Sequence, residues 1–167
     1  NHVLPAYAEG PHYLFEAFAI FNEFLLPDYL YSHETDQLRK QFYLEQFLDG
    51  KGMEMFVVAP EVAIANAVYD GVKSGSIKGA DDLDALTRKI YSRYSIWTED
   101  ELKVQWMNIH LMYEDPFYDI NYVYGVLLAL KFYEMYRRDP ANFVPRYIAL
   151  MRNGFDAPPE VLLKRFL

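Results

Sequence analysis

The chain contains no cysteine, so disulfide bonds and thiolate metal sites are both excluded. A protein without disulfides fits the reducing cytoplasm, which is the compartment we expect. Basic residues are also scarce, with 16 Lys and Arg against 24 Asp and Glu and a net charge of −8. This charge argues against partners that select basic patches, namely nucleic acids and anionic membrane surfaces. No apolar run approaches the roughly 20 residues that a transmembrane helix needs.

No run of four or more residues shows a convincing alternation of apolar and polar residues, the pattern typical of a half-buried strand. The short apolar runs lie in helical patterns instead. The sequence therefore predicts an all-α fold of seven to eight helices, built as a single domain over residues 1–167. Aromatic residues reach 17%, and 15 residues are Tyr. Because a core alone needs fewer tyrosines, we expect some to line a cleft or an interface.

Local signals set the expected helix boundaries. The run DGKG at 49–52 is expected to break a helix that covers 34–48. The run TEDE at 98–101 has the pattern of a capping box, which predicts a helix start. Pro116 is expected to open a long hydrophobic helix over 117–137.

The stretch HYLFEAFAIFNEFLL, residues 12–26, places two acids inside an apolar helix. Such a helix has no broad polar face and is normally buried on all sides, so Glu16 and Glu23 are expected to be buried with it. Seven residues are nearly two helical turns, which puts both acids on one face. His12 lies one turn before Glu16, within side-chain reach. A buried carboxylate is paired, hydrogen-bonded or bound to a metal.

Two interpretations of these acids are open. In the first, each glutamate pairs with an Arg, Lys or Tyr in a helical core. In the second, one of them is a metal ligand and its neighbours orient it. The run FEA at 15–17, followed by NE at 22–23, resembles the segment after the zinc motif in the thimet oligopeptidase and oligoendopeptidase F family of metallopeptidases. That resemblance implies that Glu16 is the third zinc ligand, with Glu23 and His12 supporting it.

The two zinc-binding histidines of that family are missing from this sequence. No H-E-x-x-H occurs, and no two of the four histidines stand four residues apart. The chain also opens on Asn1 rather than Met. We therefore expect it to be the C-terminal part of a longer peptidase, separated from the N-terminal part that carries the zinc-binding helix. Because a catalytic zinc site uses three protein ligands, the zinc site is expected to be incomplete and this chain inactive alone.

The stretch IHLMYEDPFYDINYVYG, residues 109–125, combines one His, four Tyr and three acids. One interpretation is an aromatic core helix whose polar tips are satisfied. The order of residues also resembles the second active-site segment of the same family, in which a His is followed by a Pro-Phe-Tyr-like run, further tyrosines and a glycine. The matching positions here are His110, Pro116, Phe117, Tyr118, Tyr122 and Gly125.

The resemblance implies hydrolysis of internal bonds in short peptides. Negative charge develops on the peptide carbonyl oxygen in that reaction, and a Tyr hydroxyl or a His N–H placed beside the oxygen stabilises it. His110, Tyr122 and Tyr118 are the candidate donors, and the two tyrosines are expected one turn apart on one helical face. The family has a further tyrosine between His110 and Tyr122, where this chain has Asp115. The register of the tyrosines is therefore open.

A function of a different class is also open. The chain is equally compatible with a non-catalytic helical module that binds a partner protein or associates with itself through its tyrosines. The two functions differ in whether the candidate side chains must lie close together in space. In a peptidase, Glu16, His110 and Tyr122 must line one concave wall, whereas an interaction module has no such requirement.

Overall fold

The computed structural model describes residues 8–94 and 100–167, and these residues form α-helices with no strand. The eight α-helices are α1 (His12–His33), α2 (Gln37–Gly52), α3 (Ala59–Ser74), α4 (Ala80–Tyr91), α5 (Leu111–Glu114), α6 (Ile120–Arg138), α7 (Pro140–Asn153) and α8 (Pro159–Phe166). A π-helical segment, Met53–Val58, and a 3-10 helix, Asp100–Asn108, complete the described elements. The prediction of an all-α fold with seven to eight helices is confirmed.

The chain divides into two compact units. The first contains the described residues 8–47 and 124–167, and the second contains 48–94 and 100–123. The grouping of both into a single domain stays a prediction.

Aromatic rings dominate the core of the first unit. The buried residues of its main cluster come from α1, α6 and α7, and they are Leu14, Ala17, Ile20, Phe21, Phe24, Val126, Ala129, Phe132, Phe143 and Tyr147. The ring of Phe21 meets Tyr147 at 4.9 Å and Phe143 at 5.5 Å between centroids, edge to face. Each such pair adds about 0.5–1.5 kcal/mol to the effect of burial. This cluster fixes α1 against α6.

Helix α1 is not buried all round, so that expectation is wrong. Its buried residues recur at helical spacing on one face. Phe15 and Leu26 lie elsewhere on the helix and are 42% and 62% exposed. The helix also passes through Pro27 and ends only at His33.

The second unit has a smaller core. Ile64 and Ala65 of α3 pack with Ile90 and Tyr91 of α4, and Ile109 and Met112 complete the cluster. The indole Nε1 of Trp106 donates a hydrogen bond of 2.8 Å to Asp84, which links the 3-10 helix to α4.

Two expected boundaries are wrong. The run at 49–52 does not break the helix, because α2 continues to Gly52 and the π-helical segment follows directly. Helix α6 begins at Ile120 rather than at 117, since Phe117 has φ 71°, which no right-handed helix accepts. The first two residues of the expected capping box, Thr98 and Glu99, lie outside the described residues.

The helical stretch Gln37–Ser74 is long and apolar enough, by length and composition alone, to cross a membrane. Core helices of globular proteins satisfy the same criterion, so this single stretch is weak support for a membrane location. The expectation of no membrane span stays a prediction.

Candidate functional site

Glu16 lies on α1 at the edge of its buried face and is itself half-buried. Gly125 of α6 packs directly on it. A Cβ atom added at Gly125 would stand 2.8 Å from Cβ of Glu16 and 3.2 Å from the backbone nitrogen of Ala17. Since neither of those atoms can move without moving α1, only glycine lets α6 approach this closely. Packing against the candidate ligand therefore explains why glycine occupies position 125.

Glu23 is exposed, so the expectation that it is buried is wrong. The reason is geometric, because Glu16 and Glu23 both lie to one side of the face that carries Ala17 and Phe24. Near the start of α1, at Glu16, this flank is partly covered, whereas at Glu23, near the middle of the helix, it faces solvent. His12 is the first residue of α1, one turn before Glu16, and it is exposed as well.

The candidate oxyanion donors belong to the second unit. His110 is the residue before α5 and is exposed. Tyr118 lies in the turn ahead of α6 and Tyr122 lies in its first turn, so the two do not share a helical face as expected. Their rings nevertheless meet edge to face, with centroids 5.6 Å apart, and both are half-buried. The turn thus pairs the tyrosines that the resemblance singles out.

The turn that carries Tyr118 is held by several hydrogen bonds. The amide of Tyr118 donates to the carbonyl of Asp115 at 3.1 Å, and Asn121 Nδ2 donates to the carbonyl of Tyr118 at 2.8 Å. Phe117, the residue before Tyr118, has a positive φ, which is unusual for a residue with a bulky side chain. Its ring packs on Tyr69, with centroids 4.9 Å apart. Strain of this kind persists where surrounding contacts determine the backbone, and it occurs often at functional sites.

Asp119 is a buried acid that the sequence analysis did not single out. Its residue is 7% exposed, and burial raises the pKa of its carboxyl above the ordinary 3.8, while the nearby charge of His110 acts in the opposite direction. It lines a cavity of about 160 Å³ together with Asn66 and Phe117. Asp119 directly precedes the first residue of α6, and an acid at that position stabilises the start of a helix. The expected start at 117 concealed that signal.

A zinc site is not complete within the described residues. In residues 8–94 and 100–167, no three His, Asp or Glu side chains come together in a group that could hold a metal ion. Glu16 belongs to the first unit, whereas His110 and Tyr122 belong to the second. Their convergence on one concave wall stays a prediction.

Comparisons with protein-family models, with curated proteins and with solved structures find no match for this chain.

Proposed function

We propose that these residues supply one part of the active site of a zinc-dependent endopeptidase that resembles oligoendopeptidase F and thimet oligopeptidase. The observation that carries the proposal is the contact between Glu16 and Gly125. The two stretches that resemble the family's active-site segments, residues 12–26 and 109–125, are far apart in sequence, yet the glycine that closes the second packs on the candidate ligand of the first. The all-α fold agrees with the same proposal.

The chemical role of the second segment is to donate hydrogen bonds. In this proposal the hydroxyl of Tyr122 donates to the carbonyl oxygen of the scissile peptide as negative charge develops on it. Tyr118 packs on the ring of Tyr122 and orients it or donates beside it. His110 is the third donor. The substrates are short peptides cleaved at internal bonds, and the compartment is the cytoplasm.

Zinc enters this proposal only through Glu16. That carboxylate would be one of three protein ligands, and the two histidines and the Glu that activates water must come from outside these 167 residues, because no H-E-x-x-H occurs among them. We therefore expect this chain alone to bind zinc weakly and to hydrolyse no peptide. Isothermal titration with zinc checks this directly, and one submicromolar site per chain would contradict it.

A matched pair of variants tests the assignment of Glu16. In a longer polypeptide that joins these residues to a helix with H-E-x-x-H, we expect Glu16→Gln to weaken zinc binding by at least about tenfold. Asp28→Asn, an acid on the same helix that contacts Tyr133 and Arg137 instead, serves as the control and should leave zinc affinity unchanged. Equal zinc affinity in wild type and Glu16→Gln would remove Glu16 from the site.

A second candidate function, a module for protein binding or self-association, is favoured by the exposed apolar side chains of the first unit. Leu38 is 78% exposed, Leu26 is 62% exposed and Phe42 is 53% exposed. Exposed apolar surface of this kind commonly marks an interaction site. Sedimentation of the wild type and of Leu38→Glu tests the self-association: the wild type should associate and Leu38→Glu should associate less, whereas a monomeric wild type would remove the support for it.

A further inference from the structure

A pocket of about 400 Å³ lies within the first unit, between α1, α2 and α6. Four of its nine lining residues are aromatic, namely Tyr31, Tyr43, Phe47 and Tyr133, and Pro27 and Leu44 add apolar surface. Its volume lies within the range of pockets that hold small molecules, and its aromatic walls with few polar groups match the usual composition of such pockets.

An ion pair stands at one side of this pocket. Asp28 Oδ1 accepts hydrogen bonds from the hydroxyl of Tyr133 at 2.7 Å and from Nη1 of Arg137. Both bonds reach the same oxygen. The guanidinium reaches Asp28 through Nη1 and lies 6.0 Å from the centroid of the Tyr133 ring, and it has five N–H donors in all.

The two charges differ in accessibility. The side chain of Arg137 is 53% exposed, whereas that of Asp28 is 16% exposed. The ammonium of Lys40 adds a second positive charge, 5.1 Å from the centroid of the Tyr31 ring. A ligand in the pocket therefore meets a guanidinium that is more accessible than the carboxylate paired with it, in a protein whose net charge is −8.

We propose that this pocket binds a small aromatic carboxylate. The ring of the ligand packs among Tyr31, Tyr43 and Phe47, and its carboxylate accepts hydrogen bonds from the guanidinium of Arg137, whose planar fork suits a carboxylate. Asp28 holds the guanidinium in place by its contact with Nη1. The site is independent of the proposed peptidase function, since it uses none of the residues assigned to that function.

A pair of probes of similar shape and opposite charge tests the proposal in the wild-type chain. We expect 3-phenylpropionate to bind with a Kd on the order of 1 mM, which is typical of a ligand with so few atoms. Phenethylamine, which presents an ammonium instead, should bind at least about fivefold more weakly. Titration followed by 1H–15N NMR measures both affinities and identifies the amides that shift, with Ser32 and Tyr43 among those expected. A preference for the amine, or no binding of either probe, would overturn the proposal.

Variants of two neighbouring arginines locate the carboxylate. Arg137→Gln should weaken binding of 3-phenylpropionate about tenfold, because it removes the charged donors. Arg138→Gln removes the same charge one residue later on α6 and is the matched control, expected to change the Kd less than about twofold. Arg137→Lys keeps a positive charge beside Asp28 and preserves the fold if the glutamine variant does not, and it should still bind several-fold more weakly because an ammonium lacks the fork. Equal losses in Arg137→Gln and Arg138→Gln would show general charge attraction and overturn the assignment.

Discussion

At the residue scale, the packing of Gly125 on α1 sets how closely two core helices approach. Gly125→Ala would force a Cβ atom against Cβ of Glu16 at 2.8 Å, so the helices must separate. Overpacking of this kind costs about 1–3 kcal/mol, and we expect the free energy of unfolding to fall by that amount. Urea denaturation followed by circular dichroism measures it.

Gly50→Ala is the matched control for that substitution. Gly50 also lies in a helix, α2, but a Cβ atom added there meets nothing within 4 Å. Alanine is the better helix former, so this variant should be more stable than the wild type by up to about 1 kcal/mol. If Gly125→Ala were as stable as Gly50→Ala, the close approach of α1 and α6 would be contradicted.

Asp119 makes stability depend on pH. Its pKa is raised by burial, so the folded chain resists its ionisation more than the unfolded chain does. Stability is therefore lost as the pH rises above 3.8 and through the raised value. Asp119→Asn removes the ionisation, and we expect its Tm relative to the wild type to increase across that window, as measured by thermal unfolding at a series of pH values.

An exposed acid in the same segment supplies the control for this pH dependence. Asp115→Asn removes a carboxylate from the surface of the same turn and controls for the loss of one negative charge there. A Tm of Asp119→Asn that falls below the wild type at every pH would show that the carboxylate contributes a contact the folded chain needs.

At the scale of elements, the helical pattern of the sequence was sufficient for most helices but not for their junctions. Gly75 at φ 75° follows the last residue of α3, where glycine accepts the left-handed conformation that ends many helices. Phe117 has a similar φ, which a bulky residue rarely adopts, so no propensity rule predicts that α6 starts three residues late. Gly50 and Gly52 are likewise helical although glycine often ends a helix, and the π-helical segment follows Gly52 directly.

For the candidate site, too, the sequence identifies candidate residues but does not predict which of them are buried. The order of residues led to Glu16, Tyr118 and Tyr122 as candidates, and the edge-to-face contact of the two tyrosines agrees with a shared role. The exposure of Glu23 could not be predicted, because it depends on how far along α1 the neighbouring elements cover that side of the helix. Asp119 was missed because its burial follows from the unexpected turn before α6.

Helix α7 begins directly after a capping residue, Asp139. The side chain of Asp139 accepts a hydrogen bond from the amide of Asn142 at 3.2 Å, and Pro140 follows at the first helical position. Asp139→Ala should therefore lower the free energy of unfolding by about 1 kcal/mol. Asp139→Asn keeps the acceptor oxygen and should be nearly as stable as the wild type, which denaturation of the two variants side by side checks. Equal losses in both would contradict the capping role.

At the scale of the whole molecule, the two units carry different parts of the proposed peptidase. The first unit contains Glu16 on a helix fixed by an aromatic core, and the second contains His110 and the tyrosine pair. The proposal thus assigns to this chain the groups that orient and stabilise, and it leaves water activation to residues outside the chain.

The most direct test of that assignment is the turnover of a Tyr122→Phe variant, in the longer polypeptide that includes an H-E-x-x-H helix. Phenylalanine keeps the ring contact with Tyr118 and deletes only the hydroxyl donor. Because that donor acts on charge that develops in the transition state, kcat should fall about a hundredfold or more, while KM and Tm change little. Loss of kcat in Tyr118→Phe with full activity in Tyr122→Phe would move the donor to the earlier tyrosine. Full kcat in both variants would contradict the proposed role of this segment in peptide hydrolysis.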